Sequence, residues 1–382
     1  MRLPLRVLIC RSNSVAPDPR VAKEAKALSE AGYRVKILAW DRDGNTPKKE
    51  TIFVDEESKV GVEIIRLHIL SAFGRGMQNL PSLLRWQAGI LIWMWRNRDS
   101  FDLIHACDFD TILPSLFVGR IFRKKIIYDI FDFYADHLRK TPRLIKNIIR
   151  SLDIWAINRA DALILADPSR KDQIQGANPR KMAVIYNSPE DIRKQISNRK
   201  TGSSFSVVYV GLLQLERGLG ELLQVMQNHP SWSLDLAGFG GDREFILERA
   251  NSLKNVIWHG RVAYEKAMEL SAKADVLIAT YDPAIPNHRY SSPNKLFEAM
   301  MLGKPIVVAK GTNMDGIVKK WNLGLLIDYG DVADLERALE TLHTNSNLRE
   351  ELGENARQAY DDEYSWEQMR NRLTNLYSSV VS

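Results

Sequence analysis

The chain has 382 residues, enough for two domains of ordinary size. Hydrophobic residues make up 45% and charged residues 26%. That balance excludes a disordered or low-complexity chain and fits a globular protein with a normal core in each half. The net charge of +6 is unevenly spread: residues 1–200 hold 35 Lys and Arg against 23 Asp and Glu, a net of +12, and the remainder 18 against 24, a net of −6. Such a split points to an anionic partner for the first half, such as a membrane surface, a phospholipid head group or a lipid-linked pyrophosphate. No zinc-finger spacing or RNA-binding signature is present, so no nucleic acid is expected. Two cysteines, Cys10 and Cys107, read as reduced thiols of a cytoplasmic protein. The opening apolar run is too short for a signal peptide, and no apolar stretch reaches the roughly 18 residues of a spanning helix.

In chain order, short β-branched runs predict strands at Arg6–Cys10, Tyr33–Ala39, Leu103–Ala106, Lys125–Asp129, Ala162–Ala166 and Met182–Tyr186, with helices at Pro19–Ala31 and Leu144–Arg159 among them. A polar, charged stretch over 188–204 reads as a linker between a first domain, 1–187, and a second, 205–365. The rhythm restarts with strands at Ser206–Tyr209, Ser233–Ala237, Val256–His259, Val276–Thr280, Pro305–Ala309 and Gly324–Asp328. Helices are predicted at Gly218–Gln227, Glu244–Ser252, Ala263–Ala274, Ser292–Met301 and Ala333–Thr344. The alternation predicts two doubly wound parallel sheets of Rossmann-like α/β type in tandem, facing across a cleft. An amphipathic helix from Trp366, within 366–382, is expected to pack back on the first domain. Leu80–Trp95, with Trp86, Trp93 and Trp95 beside Arg85, Arg96 and Arg98, reads either as a core helix with charged ends or as a helix lying on an anionic membrane.

The strongest chemical signal is Ser291-Ser292-Pro293-Asn294-Lys295-Leu296-Phe297-Glu298, followed by Gly303-Lys304-Pro305. It describes a loop entering a helix whose free N–H groups and positive dipole end suit a phosphate, with Lys295 adding a full charge. Glu298, about one turn on, can accept hydrogen bonds from paired ribose hydroxyls. Equally, Ser292 and Glu298 can be read as helix-capping residues. A second signal is Val207-Val208-Tyr209-Val210-Gly211, then Glu216-Arg217-Gly218: a strand, a glycine turn and a helix start beside which Arg217 can hold a diphosphate.

These segments resemble the donor-site motifs of glycosyltransferase family 4, a retaining family of GT-B architecture. The resemblance extends to the opening run Arg11-Ser12-Asn13 through Asp18-Pro19-Arg20-Val21 and Trp40-Asp41-Arg42. It implies a glycosyltransferase using a nucleotide-diphosphate sugar in cell-surface polysaccharide or glycolipid synthesis, with retention, with a glycan or lipid-linked acceptor, and with no cofactor or metal. Gly211, Arg217, Gly218, Asn294, Lys295, Leu296 and Glu298 then line the donor. Many members carry two glutamates separated by seven residues; Tyr290 stands where the first would be, so the donor sugar contact departs from the pattern. Leu212 and Cys107 replace two further family positions. Arg217 and Lys295 are the expected catalytic cations, with Asp108 beside Cys107 carried over as a third catalytic candidate. Arg20, Asp129 and Asp132 are expected on the acceptor side.

Three substitutions at family positions keep an alternative open, a non-catalytic nucleotide-binding or scaffold protein with a degenerate site. A dinucleotide oxidoreductase is disfavoured, since Gly238-Phe239-Gly240-Gly241 meets Arg243 where a third glycine is wanted. Asp41-Arg42-Asp43 and Asp108-Phe109-Asp110 each spell Asp-x-Asp, a metal-binding pattern of the other main glycosyltransferase fold, but pairs this short recur by chance.

Overall fold

The computed structural model describes residues 4–55, 60–71, 79–138, 141–196 and 204–382. They form two compact units, Met1–Tyr186 with Met369–Ser382, and Asn187–Gln368.

The first unit runs β1 (Arg6–Arg11), α1 (Pro19–Glu30), β2 (Arg34–Asp41), β3 (Lys49–Asp55), β4 (Val60–His68), α2 (Leu80–Arg96), β5 (Leu103–Cys107), α3 (Phe109–Ile121), β6 (Lys125–Ile130), α4 (Tyr134–His137), α5 (Arg143–Ile157), β7 (Ala162–Leu165) and β8 (Met182–Val184). Its eight strands lie in the order β3-β4-β2-β1-β5-β6-β7-β8. Central strands are apolar on both faces because helices cover both: Leu8, Ile9, Ile104 and Ile127 are fully buried. Asp18 caps α1 by accepting from the Val21 amide, and Pro19 supplies a pre-set first turn.

The sequence reading did not anticipate β3 and β4, and its all-parallel sheet needs one correction. The two strands pair antiparallel, with an irregularity between Phe53 and Asp55. β3 is the edge strand of the sheet, and Lys49, Glu50 and Thr51 open it without the apolar run by which the buried strands were recognised. The Leu80–Trp95 segment is α2, and Trp86, Ile90 and Met94 fill the core, with Trp86 stacked on Trp40 at 5.4 Å.

The second unit runs β9 (Ser206–Leu212), α6 (Leu219–Asn228), β10 (Ser233–Phe239), α7 (Arg243–Asn251), β11 (Val256–Trp258), α8 (Tyr264–Lys273), β12 (Val276–Ala279), α9 (Pro286–Arg289), α10 (Asn294–Leu302), β13 (Ile306–Ala309), α11 (Asn313–Trp321), β14 (Gly324–Ile327), α12 (Val332–Thr344) and α13 (Ser346–Ala359). Its six strands lie in the order β11-β10-β9-β12-β13-β14, with adjacent strands parallel. The last helix, α14 (Trp366–Val381), enters the first unit from Met369, where Tyr377 is buried and its hydroxyl lies 2.6 Å from His105 Nδ1.

Of the segment read as a linker, residues 197–203 lie outside the described residues. Its beginning is anchored on the second unit rather than free. Asn187 donates to the Ser292 carbonyl, the Pro189 carbonyl accepts from Tyr360, and Asp191 pairs with Arg357 at 2.7 Å.

Candidate active site

In each sheet the strand order reverses once, between β1 and β5 and between β9 and β12, and open α/β sheets bind ligands beyond the strand ends at such points. The residues singled out from sequence gather at both.

In the second unit, β9 ends at Leu212, just past Gly211, and a short 3-10 turn, Leu215–Arg217, leads to Gly218 at the start of α6. Gly218 has φ +69°, and a Cβ there would stand 2.3 Å from Thr280 Oγ1, so glycine alone fits between the α6 start and the end of β12. A Cβ on Gly211 would stand 3.0 Å from Cε and 3.1 Å from Nζ of Lys295, which reaches across from the first turn of α10. Two helix starts and two cations, far apart in sequence, therefore share one corner of the sheet.

Lys295 is buried, and its ammonium has no hydrogen-bond partner among the described residues. It lies 3.4 Å from the ring centre of Tyr209 and 5.7 Å from that of Tyr281. Arg217 lies 4.5 Å over Tyr281 and donates to Gln214 at 3.1 Å. The aromatic faces hold both cations where like charges repel. Burial, then the Arg217 charge, drives the Lys295 pKa well below that of an ordinary lysine, and Glu298 only partly offsets them. An orphaned, desolvated ammonium beside a guanidinium has the charge to attract a doubly charged anion.

Gly218 and Pro293 occupy the cap positions of α6 and α10, and neither helix has a side-chain cap. Apart from the Leu296 amide, which donates to the Pro293 carbonyl at 3.2 Å, the first-turn amides at both starts are left to a ligand or solvent. This corrects the capping alternative: Ser292 is not the cap, and its buried hydroxyl has no partner. Glu298 is buried, and its charge, after burial, raises the Tyr264 pKa. Asn294 is exposed at the helix start and Tyr290 half-buried just ahead of it. Leu296 differs from expectation, because its side chain is core and its amide donates to the Pro293 carbonyl at 3.2 Å.

At the reversal of the first sheet, Asp108 follows β5 with φ 63°. A non-glycine residue in that region stores roughly 1–3 kcal/mol of strain and persists only where contacts over-determine it. Here its carboxylate accepts from the Phe131 amide at 2.9 Å and from Arg11, while its own amide donates to the Asp129 carbonyl at 2.8 Å. Arg11 in turn binds Asp18 at 2.8 Å and lies 4.0 Å over Phe131. Burial pushes the Asp108 carboxyl up to about 6 against the pull of Arg11. Asp132 pairs with the buried Arg170 at 2.7 Å and keeps its carboxylate half-exposed.

Arg20 and Asp129 are placed differently from the sequence expectation. Both are buried and committed to each other: Arg20 Nη2 lies 3.0 Å from Asp129, its Nε 3.0 Å from Glu24, and its Nη1 donates to the Ile185 carbonyl at 2.8 Å. His105 completes the cluster, 3.4 Å from Asp129 and 3.8 Å from Glu24. This is an internal charge network that ties α1, β5, β6 and the C-terminal helix together, not a lip that meets an acceptor. Glu24, His105 and Asp129 are grouped closely enough to hold a metal ion, but Arg20 already supplies the positive charge there. Asp41 accepts from the amides of Asp43, Gly44 and Thr46, and so belongs to its own turn.

These buried acids give the first unit a defined pH response. Burial raises Glu24 to about 7, with Asp129 adding to it; burial likewise raises Asp153 to about 7 and Asp108 to about 6. Each native pKa exceeds the unfolded value, so the native state binds more protons between pH 4 and 7, and stability falls as pH rises through that window. The melting temperature is expected to be lower at pH 8 than at pH 5, and a flat profile would contradict the buried, ionisable placement of these groups.

Sequence reasoning missed Arg11, Glu24, Tyr209 and Tyr281. A tyrosine inside Val-Val-Tyr-Val reads as core, and nothing local reveals that its ring lies beneath Lys295. Cys10 and Cys107 are buried free thiols.

Tandem Rossmann-like units with cation-bearing helix starts at a strand-order reversal define a glycosyltransferase of GT-B fold. Residues 190–359 match the model of glycosyl transferases group 1, and residues 20–188 that of Glycosyltransferase Family 4. With the two matches taken together, the chain belongs to the GT-B glycosyltransferases of the family 4 type. A D-inositol 3-phosphate glycosyltransferase of Corynebacterium kroppenstedtii is 23% identical over 81% of this chain and 74% of its own length. The fold is shared with sucrose-phosphate synthase of Thermosynechococcus elongatus, at a TM-score of 0.77, 16% identity and 99% coverage of both chains. It is shared also with Anabaena HepE solved with UDP and glucose, at a TM-score of 0.69, 17% identity, and coverage of 98% of this chain and 100% of that one.

Proposed function

We propose that this glycosyltransferase moves a sugar from a nucleoside diphosphate sugar to a glycan or lipid-linked acceptor with retained anomeric configuration, in the cytoplasm, for cell-surface polysaccharide or glycolipid synthesis. One observation carries the reading: the buried, unpartnered ammonium of Lys295 beside Arg217, at the uncapped starts of α6 and α10. The UDP and glucose bound by HepE, and the phosphorylated polyol named for the corynebacterial relative, support a nucleotide donor and an anionic acceptor.

As the bond from the anomeric carbon to the diphosphate breaks, negative charge grows on the leaving oxygen. Arg217 and Lys295 stabilise that charge without reorganising. Gly211 and Gly218 let the backbone approach the diphosphate, with the Asn294 amide in the α10 start. Glu298 accepts from the ribose hydroxyls. Tyr290 lies toward the donor sugar in place of an acid. Asp108 and Asp132 serve the acceptor, which attacks on the leaving-group face with no protein nucleophile. No metal is required, because two cations and two helix starts carry the charge a divalent ion would otherwise neutralise. Transfer is expected to persist in chelator; complete loss, restored by manganese, would refute that part. The cationic first half brings the enzyme to an anionic membrane surface.

The deciding experiment is a thermal-shift screen against UDP, GDP, ADP and TDP sugars, followed by a transfer and donor-hydrolysis assay with the best ligand. A shift by one nucleotide series with turnover is expected. Nucleotide binding without turnover of any donor would instead mark a scaffold.

A further inference from the structure

Helices α2, α3 and α5 each carry a crossover that steps the same way across the first sheet, from β4 to β5, β5 to β6 and β6 to β7. Parallel crossovers are right-handed, so all three helices cover one face of that sheet. The central one, α3, packs against both neighbours.

The outer surface of this layer is apolar beyond what a solvated surface needs. These helices, of 17, 13 and 15 residues, carry ten of the nineteen exposed large apolar side chains among the described residues. On α5, Leu144, Ile148, Leu152 and Trp155 form one stripe at helical spacing, and Leu144 is 72% exposed. The other side of α5 is core, with Ala156 and Ile157 buried. The helix is thus apolar on two faces, only one of which has a partner among the described residues. Trp95 on α2 and Phe117 on α3 are also exposed.

The charge of the layer has a single sign. Its cations are Arg85, Arg96, Arg120, Arg143, Lys146 and Arg150, and its only acids, Asp110 and Asp153, are both buried. A second copy of this chain docking through the same face would bring these cations against each other, as an isologous interface must. Exposed tryptophan and aliphatic side chains interspersed with arginine match the interface of an anionic bilayer.

We infer that the α2–α3–α5 face is a membrane-docking surface, which inserts the α5 stripe among the lipid head groups and holds anionic lipid with the surrounding arginines. The inference rests on the membrane contact proposed above and assigns it to a surface, chiefly to α5. The donor-site residues play no part in it.

The test is co-sedimentation of the full chain with phosphatidylcholine vesicles with and without phosphatidylglycerol. Wild type is expected to bind the anionic vesicles at least tenfold more tightly than the neutral ones. The Ile148→Glu/Trp155→Glu variant is expected to lose at least tenfold on anionic vesicles. The Arg85→Ala/Arg143→Ala variant should lose about 25-fold, at about fivefold per cation near a charged surface. Nucleotide thermal shifts of both variants should match wild type, which shows that they are folded. Equal binding to the two vesicle types overturns the inference, as does undiminished binding by both folded variants. Self-association of wild type that Ile148→Glu/Trp155→Glu abolishes, without vesicle binding, overturns it in favour of an interface between copies. Vesicle binding in a protein that binds no nucleotide would sink the donor reading and leave the docking face standing.

Discussion

Lys295→Ala and Arg217→Ala are each expected to lower transfer at least tenfold, the scale of losing about 1.4 kcal/mol of transition-state stabilisation. Both cations lie at helix starts that meet in the same corner of the second sheet, and each contributes to the other's field. Their effects should therefore be non-additive in the double variant. Lys295→Met adds a signature that a surface lysine would not give. The folded pKa of Lys295 lies below its unfolded value, so at neutral pH the protonated form penalises the native state, and the penalty is removed with the charge. The nucleotide-free variant should melt higher than wild type while losing the stabilisation that nucleotide confers, a trade of stability against function. By the same linkage, nucleotide binding should take up protons and strengthen as pH falls from alkaline values, since the diphosphate restores the lysine's basicity. Wild-type turnover in both single variants would place the phosphate elsewhere.

Arg20→Met is expected to destabilise the first unit by about 3–5 kcal/mol, because it strands the carboxylates of Glu24 and Asp129 together in the interior. For a unit of this size, that corresponds to a fall in melting temperature of roughly 6–20 °C. Adding Glu24→Gln should restore part of the loss by removing one of the two stranded charges. A variant that melts like wild type and fails only in transfer would return Arg20 to the acceptor-side role that its sequence position suggested.

That contrast marks what the sequence could and could not convey. The tandem α/β rhythm was legible because buried parallel strands are continuous apolar runs, and the Pro293–Glu298 and Glu216–Gly218 segments were legible because helix starts with glycine, proline and a cation are local patterns. The strands β3 and β4 were not, since Lys49, Glu50, Glu63 and Arg66 break up their apolar runs. Arg20 misled because a cation in the first turn of a helix looks solvent-facing. Only the tertiary approach of β5, β6 and the C-terminal helix brings Glu24, His105, Asp129 and Tyr377 around it. Tyr209 and Tyr281, which shape the cation pocket, carried no signal at all, for their role lies in which face of the sheet they occupy. The α5 stripe escaped for the opposite reason: Leu144, Ile148, Leu152 and Trp155 have the spacing of a core face, and only their exposure in the folded unit shows that the core lies elsewhere.

Calorimetric titration of wild type and the Arg217→Ala/Lys295→Ala variant, with the best-binding nucleoside diphosphate and the matching monophosphate, tests the diphosphate grip most directly. The diphosphate should bind wild type at least tenfold more tightly than the monophosphate, and that preference should vanish in the variant. A preference that survives the loss of both cations would contradict the account.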